Sequence, residues 1–211
     1  MDVEVYEVKL DEEFLMSSLF TVAEVELARL GLTTLPGSDL DVVVGGLGLG
    51  YTARAVLADP RVRSLTVVEA LGAVIGWHRR GLLPLAADLT SDPRCRLVQG
   101  DFFALAAGTA GFDGDAPHRR YHAILVDIDH TPVQVLHPSH AGFYRPEGLR
   151  ALAEHLHPGG VFALWSNDPP DAEFTATLAE VFATATAHVV SFDNPLQGRL
   201  ASNTVYVTGR E

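Results

Sequence analysis

The chain has 211 residues, of which 47% are hydrophobic and 20% are charged, and its formal net charge is −12. This composition indicates one globular domain with at most a small extension and excludes a disordered chain. The negative charge argues against nucleic acid or an anionic membrane as the main partner and is compatible with a cationic small molecule. The acidic N-terminus has no apolar run of the kind found in signal peptides, so we expect a cytoplasmic protein.

The predicted elements alternate between strands and helices along most of the chain. A hairpin (3–8 with 14–16) comes first, followed by a helix from Thr21 in which Glu24 completes a capping-box pattern and which Gly31 can stop. Further strands are predicted at 42–44, 65–68, 95–99, 121–126, 161–165, 188–192 and 204–208. Helices are predicted at 52–58, 71–80, 102–107, 147–157 and 172–182. This order predicts a doubly wound, mainly parallel α/β sheet that closes with an antiparallel pair.

A glycine-rich turn follows the first strand of this sheet and precedes a helix. Its glycines are Gly45, Gly46, Gly48 and Gly50. Glycine lets the backbone turn sharply and approach a ligand, and the helix that follows presents free N–H groups to it. The spacing G-x-G-x-G differs from the G-x-G-x-x-G of dinucleotide enzymes, which makes a dinucleotide oxidoreductase a weak alternative. A tight turn that serves only helix packing is the other alternative.

Acidic residues follow three consecutive predicted strands. Glu69 comes 19 residues after Gly50, Asp101 follows the next strand, and Asp127 follows the one after that. In open α/β sheets, ligands bind beyond the carboxyl ends of the strands. An acid at the tip of the second strand is placed to accept hydrogen bonds from ribose hydroxyls. The three acids therefore predict a ligand site at this edge of the sheet.

The connection over residues 127–146 is long and interrupted by prolines, so no helix is expected there. Its length and apolar content favour a packed functional loop. Asp129 in this loop either serves the site or only caps a turn. The loop also carries His130, His137 and His140, whose spacing matches no metal site, so we predict no metal. A histidine acting as a general base stays open, and the sequence assigns none of the three a role.

These features together resemble the class I S-adenosylmethionine-dependent methyltransferase fold, with its seven-stranded Rossmann-like sheet and antiparallel last strand. The segment Y-H-A-I-L-V-D-I-D-H-T-P (121–132), the pair Phe143-Tyr144 and the segment H-P-G-G-V-F-A-L-W-S (157–166) resemble the spermidine synthase group of polyamine aminopropyltransferases, in particular short bacterial spermidine-synthase-like proteins. The resemblance covers about the whole chain. We expect residues 1–35 to form an extension of hairpin and helix, and residues 36–211 to form the cofactor-binding catalytic domain.

The resemblance implies a cofactor, which is S-adenosylmethionine or its decarboxylated form. The glycine turn would cradle the methionine part of the cofactor, Glu69 would hold the ribose hydroxyls, and Asp101 with Phe102 would bind the adenine. Asp127 would close the cofactor pocket and Asp129 would face the acceptor, so these two are the expected catalytic residues. A protonated amine acceptor needs a carboxylate to hold the cation and a base to take its proton.

Two departures from the aminopropyltransferase pattern leave the function open. The glycine turn of that group typically reads G-G-G-D-G-G, and Gly48 stands here in place of the acid. The loop typically reads D-S-x-D-P, and here Asp129 lies one position nearer Asp127. Aminopropyl transfer to an amine is the leading interpretation. Methyl transfer to a small molecule and non-catalytic ligand binding are the alternatives, and a homodimer is left open.

Overall fold

The computed structural model describes residues 4–10, 12–194 and 196–211. Its strands are Glu7–Leu10 (β1), Glu13–Ser17 (β2), Leu40–Gly45 (β3), Val62–Glu69 (β4), Cys95–Gln99 (β5), Tyr121–Val126 (β6), Leu156–Ser166 (β7), Thr184–Asn194 (β8) and Arg199–Gly209 (β9). Its α-helices are Val22–Thr33 (α1), Tyr51–Ala58 (α2), Gly72–Arg79 (α3), Ala86–Thr90 (α4), Phe102–Ala107 (α5), Pro146–Ala153 (α6) and Ala172–Ala179 (α7), and a 3-10 helix spans Pro138–Gly142.

Strands β3 to β9 form one sheet in the order β5-β4-β3-β6-β7-β9-β8. The neighbours from β5 to β7 are parallel, whereas β9 runs antiparallel to both β7 and β8. The prediction of a doubly wound, mainly parallel seven-stranded sheet with an antiparallel end is therefore confirmed. The chain leaves β3 toward β4 on one side and returns to β6 on the other. Ligands of open α/β sheets bind at such a reversal of strand order.

Helices cover both faces of this sheet and enclose two apolar layers. Val42 and Val44 of β3 join α1 and α2 in one layer, while Val43 faces the layer of α5, α6 and α7. Successive strand residues point to opposite faces, so a strand covered on both sides reads as a continuous apolar run. No helix in the described part of the chain is long and apolar enough to cross a membrane.

The N-terminal part divides between the hairpin and the main core. Strands β1 and β2 pair antiparallel as a separate two-stranded sheet, which confirms the predicted hairpin. Residue 3 of the predicted first strand lies outside the described residues. Helix α1 packs through Leu27, Ala28 and Leu32 into the core of the large sheet. The domain boundary at residues 35 and 36 stays a prediction.

Several predicted boundaries are wrong for identifiable reasons. Thr21 makes no side-chain capping bond, and α1 runs through Gly31 to Thr33 because this face packs closely against Leu125. Helix α6 ends at Ala153, before the predicted residue 157, because Leu156 already pairs with Tyr121 of β6. Helix α4 and the 3-10 helix were not predicted from the sequence, since both are short and lie in segments rich in turn-forming residues.

Candidate active site

A cavity of about 1090 Å³ lies beyond the carboxyl ends of the central strands. Its walls come from the glycine turn after β3, the N-terminal hairpin, the loop after β6, and the adjoining ends of β8 and β9. Small-molecule sites typically enclose about 300–1,000 Å³. The cavity is therefore large enough for two small molecules side by side.

Two glycines of the turn line the cavity. Gly46 has φ +93° and Gly48 has φ +46°, a region in which L-residues are disfavoured. A side chain at Gly46 would collide with the carbonyl oxygen of Asp127, and one at Gly48 would collide with Sδ of Met16. The turn is thus pressed between the β6 tip and the hairpin, and it brings Gly46, Leu47 and Gly48 to the cavity.

The other two glycines predicted to bind the cofactor serve packing. Gly45 ends β3, and a Cβ there would lie 2.6 Å from the Phe102 ring. Gly50 is the N-cap of α2, and a Cβ there would lie 2.6 Å from Leu89. Neither lines the cavity, so the structure brings only the middle of the glycine motif to the site.

The carboxylate of Glu69 is oriented by the backbone on both sides of the β4 tip. Its Oε2 accepts from the N–H of Leu47 at 3.0 Å, and its Oε1 accepts from the N–H of Leu71 at 2.9 Å. Glu69 lines the cavity. Each carboxylate oxygen can accept more than one hydrogen bond, so both retain capacity for a ligand hydroxyl.

Asp101 caps α5 at the tip of β5. Its Oδ1 accepts from the N–H of Phe103 at 2.9 Å and of Ala104 at 3.2 Å. Within the described residues, Oδ2 has no hydrogen-bond partner, and the residue lines the cavity together with Phe102 and Phe103. The Phe102 ring is buried and stacks on Phe112 with centroids 5.1 Å apart. Asp101 therefore offers an oxygen to a ligand beside an aromatic wall.

Asp127 lies at the tip of β6 and lines the cavity beside the glycine turn. Its backbone N–H donates to the carbonyl of Gly45, and its Oδ2 accepts from the Thr52 hydroxyl at 2.7 Å. Burial raises the pKa of Asp127 to about 6, although the Thr52 hydrogen bond opposes this shift. Asp127 is thus fixed at the junction between the turn and the loop.

Glu24 is a cavity residue that the sequence did not predict. It lies on α1, is 8% exposed and lines the cavity near Asp127 and Tyr51. Burial, followed by the negative charge of Asp127, raises the pKa of Glu24 to about 8. The capping role predicted for Glu24 is wrong, because its side chain is on the buried face of the helix.

Asp129, predicted to face an acceptor, is 1% exposed and does not line the cavity. Its Oδ1 accepts from the N–H of Leu136 at 2.7 Å and its Oδ2 accepts from the Tyr144 hydroxyl at 2.8 Å. Burial, followed by the charge of Asp129, raises the pKa of Tyr144 well above its usual range, so this hydroxyl keeps its proton. The expected direct contact is corrected: Asp129 faces inward and anchors the loop.

His140 connects Asp129 to the cavity. Its Nδ1 lies 2.9 Å from Oδ1 of Asp129, and its ring stacks on Phe103 with centroids 4.0 Å apart. With the carboxylate as acceptor, Nδ1 is the donor, and the neutral form of the ring has its lone pair on Nε2. The ring lines the cavity, and the described residues give Nε2 no hydrogen-bond partner. This pairing of carboxylate and imidazole is a general-base arrangement.

The other two loop histidines make different contacts. Nε2 of His130 lies 3.1 Å from Oε1 of Glu13, which ties the loop to the hairpin, and Nδ1 of His137 lies 2.8 Å from the Ser139 hydroxyl. Among the described residues, no group of three or more His, Cys, Asp or Glu side chains could hold a metal ion.

The cavity wall carries an excess of negative charge. Among its described residues, the acids are Glu24, Glu69, Asp101 and Asp127, and the only lysine or arginine is Arg199. The guanidinium Nε of Arg199 donates to Gln197 at the exposed start of β9. The cavity is therefore suited to a ligand that carries positive charge.

The spermine/spermidine synthase domain model matches residues 22–190 of the chain. The chain belongs to this family. The match begins with α1 and extends into β8, so it includes every acid of the cavity wall. The family resemblance inferred from the sequence is confirmed.

The curated relatives align with this chain over only part of their own length. Putrescine N-methyltransferase 3 of Nicotiana tabacum is 34% identical over 136 residues, which cover 64% of this chain and 32% of the relative. Polyamine aminopropyltransferase 2 of Pseudomonas aeruginosa is 30% identical over 153 residues, covering 68% and 40%. The matched region thus spans between about a third and two fifths of the length of these curated relatives.

Solved structures share the fold at low sequence identity. Spermidine synthase from Thermotoga maritima superimposes with a TM-score of 0.72 at 18% identity, over 97% of this chain and 65% of that one. A spermidine synthase in complex with the transition state analogue AdoDATO gives 0.75 at 18% identity, over 97% and 66%. Human methyltransferase-like protein 13 in complex with SAH gives 0.57 at 20% identity, over 90% and 79%.

Three residues that line the cavity were not assigned to a site from the sequence. Glu24 is followed by Leu27 and Ala28 at helical spacing, which is a signal that it faces the interior. Met16 and His140 carry no such signal, because their positions depend on contacts with the glycine turn and with Asp129.

Proposed function

We propose that the protein transfers an aminopropyl group from decarboxylated S-adenosylmethionine to an amine acceptor. The negative charge of the cavity carries this proposal. Four carboxyl groups from α1 and from the tips of β4, β5 and β6 converge there, with one guanidinium at the rim. The cofactor has a sulfonium and an ammonium group, and the acceptor has an ammonium group. These positive charges are complementary to the negative charge of the cavity wall.

The cofactor half of the cavity has a partner for each part of the cofactor. Glu69 would accept from the two ribose hydroxyls while its backbone contacts hold it in place. Oδ2 of Asp101 would accept from the adenine amino group beside Phe102. The bare backbone at Gly46 and Gly48 would let the cofactor chain approach closely.

The acceptor half depends on His140. The bound cofactor would supply a sulfonium-activated carbon, where a new bond to the acceptor nitrogen would replace the bond to sulfur and leave its electron pair on sulfur. The acceptor nitrogen attacks only as the neutral amine, so its proton has to leave first. Nε2 of His140 takes this proton, because Asp129 holds Nδ1–H and stabilises the imidazolium that forms. Asp129 therefore acts on the acceptor as a positioning residue.

Methyl transfer from S-adenosylmethionine is the second candidate. Gly48 lacks the carboxylate that the aminopropyltransferases typically carry at this position, and Met16 fills the space beside it. The putrescine N-methyltransferase relatives also support this candidate. Both candidates use the same acceptor half and differ in which carbon of the sulfonium is attacked.

The test is titration of the purified protein with both cofactor forms, followed by turnover on a panel of diamines and other small amines. The product mass distinguishes an added aminopropyl group from an added methyl group. Binding of neither form would overturn the proposal. Binding without turnover on any amine would instead identify a ligand-binding protein. Sedimentation of the same sample tests whether the protein is a homodimer.

A further inference from the structure

Glu24 is a buried residue whose carboxyl group belongs to the cavity wall. It follows Ala23 on α1 and precedes Leu27, both of which are buried in the apolar core. No hydrogen bond joins its carboxyl group to another described residue, and none of the described lysines and arginines forms an ion pair with it. Within the described chain, the partner of this carboxyl group is its own backbone N–H. A carboxyl group that is 8% exposed and has no partner on any other described residue is costly to keep charged, which indicates a ligand role.

Asp127 faces the same part of the cavity from a different element. It sits at the β6 tip, held by Thr52, and within the described chain it has no cationic partner. Its negative charge acts directly on Glu24. Two neighbouring carboxylates in a buried site repel each other, so in the absence of a ligand the pair retains a proton.

The pair lies beside the glycine turn, on the cofactor side of the cavity. The carbonyl oxygen of Asp127 lies where a side chain at Gly46 would project, and Tyr51 at the start of α2 lies near Glu24. His140, the proposed base for the acceptor, contacts Asp129 and Phe103 instead. The pair is therefore placed to meet the tail of the cofactor and not the acceptor amine.

We propose that Glu24 and Asp127 form a two-carboxyl clamp for the terminal ammonium group of the cofactor. This inference rests on the proposed function and adds the residue that selects the cofactor form. An ammonium group compensates both negative charges, and the shared proton leaves to solvent as it binds. S-adenosylmethionine carries an additional carboxylate on its tail, which the clamp repels. Glu24 thus favours the decarboxylated cofactor over S-adenosylmethionine.

The test compares three ligands by calorimetric titration. These are decarboxylated S-adenosylmethionine, S-adenosylmethionine and 5′-methylthioadenosine, a nucleoside thioether without the charged tail. Glu24→Gln keeps the size of the side chain and removes its charge. Glu26→Gln is the matched control, because Glu26 lies on the same helix but pairs with Arg29 at the surface. Titration in buffers of different ionisation enthalpy also counts the protons released.

We expect wild type to prefer the decarboxylated cofactor and to release a proton when it binds. Glu24→Gln should reduce this preference about tenfold or more, and fewer protons should be released per cofactor bound. Its affinity for 5′-methylthioadenosine should be unchanged. Glu26→Gln should behave as wild type. An unchanged preference and unchanged proton release in a Glu24→Gln variant that binds 5′-methylthioadenosine would overturn the clamp alone. Failure of wild type to bind all three ligands would overturn the proposed function as well.

Discussion

The two halves of the cavity are held in place by different kinds of contact. On the cofactor side, Glu69 and Asp101 follow parallel strands and are oriented by backbone N–H groups. In the acceptor half, Asp129, His140 and Tyr144 belong to a long loop, and hydrogen bonds between their side chains join the three, with one further bond to Asp129 from the backbone N–H of Leu136. The sheet therefore fixes the first half, whereas a few side chains fix the second. Single substitutions should therefore change cofactor affinity when made in one half and turnover at unchanged cofactor affinity when made in the other.

The largest expected effect is a loss of turnover in variants of the acceptor half. His140→Gln removes the proposed base, so turnover should fall about 10²-fold or more while cofactor affinity stays unchanged. Asp129→Asn should give a similar loss, since the imidazolium loses its counter-charge. Turnover and calorimetric titration check both variants. The control is His137→Gln, which changes a cavity histidine that contacts Ser139. Equal activity of all three variants would show that His140 is not the base that takes the proton from the acceptor amine.

The next effect should appear only on the cofactor side. Glu69→Ala removes a charged partner for two ribose hydroxyls, which should weaken cofactor binding by about 1.5–3 kcal/mol, or tenfold and more. The measurement is calorimetric titration of both cofactor forms. Asp88→Ala is the control, because this surface acid pairs with Arg54. Wild-type affinity in Glu69→Ala would contradict the assignment.

The clamp gives the cofactor side a pH dependence of its own. The pKa values of Glu24 and Asp127 are raised to about 8 and about 6. Between these values the folded state binds more protons than the unfolded state, so the free energy of unfolding falls as pH rises. One such proton corresponds to about 1.4 kcal/mol per pH unit.

Glu24→Gln removes one member of the coupled pair. Melting curves recorded from pH 6 to pH 8 should therefore show the variant gaining stability relative to wild type as pH rises. Glu26→Gln should run parallel to wild type. A constant difference between Glu24→Gln and wild type would show that the pair holds no extra proton in this range.

The smallest effect is expected from Tyr144→Phe. This variant removes one hydrogen bond to buried Asp129, which should cost about 0.5–1.5 kcal/mol of stability and lower turnover less than His140→Gln does. Tyr206→Phe is the matched control, since its hydroxyl accepts from the N–H of Asp171 away from His140. Both variants should melt earlier, and only Tyr144→Phe should lose turnover. Equal turnover in the two variants would show that the hydrogen bond from Tyr144 to Asp129 does not affect the acceptor half of the cavity.

The same contrast explains how much of the molecule could be predicted. The positions of Glu69, Asp101 and Asp127 followed from strands whose apolar runs end at these residues. Asp129 was misplaced because an acid in a loop carries no signal of the direction it faces. Its burial depends on Tyr144 and Leu136, which lie farther along the loop. Strand β7 was predicted too short, because its first residues, which include Pro158, read as a turn.

The contact between Met16 and the glycine turn makes substitutions at positions 16 and 48 depend on each other. Sδ of Met16 occupies the space into which a side chain at Gly48 would project, and it accepts from the N–H of Leu49 at 3.2 Å. An acid introduced at Gly48 alone therefore requires the Met16 side chain to move, although Asp tolerates a positive φ better than most residues. A smaller residue at position 16 opens that space but gives up the contact with Leu49. The effects of substitutions at positions 16 and 48 on stability are therefore expected to be non-additive.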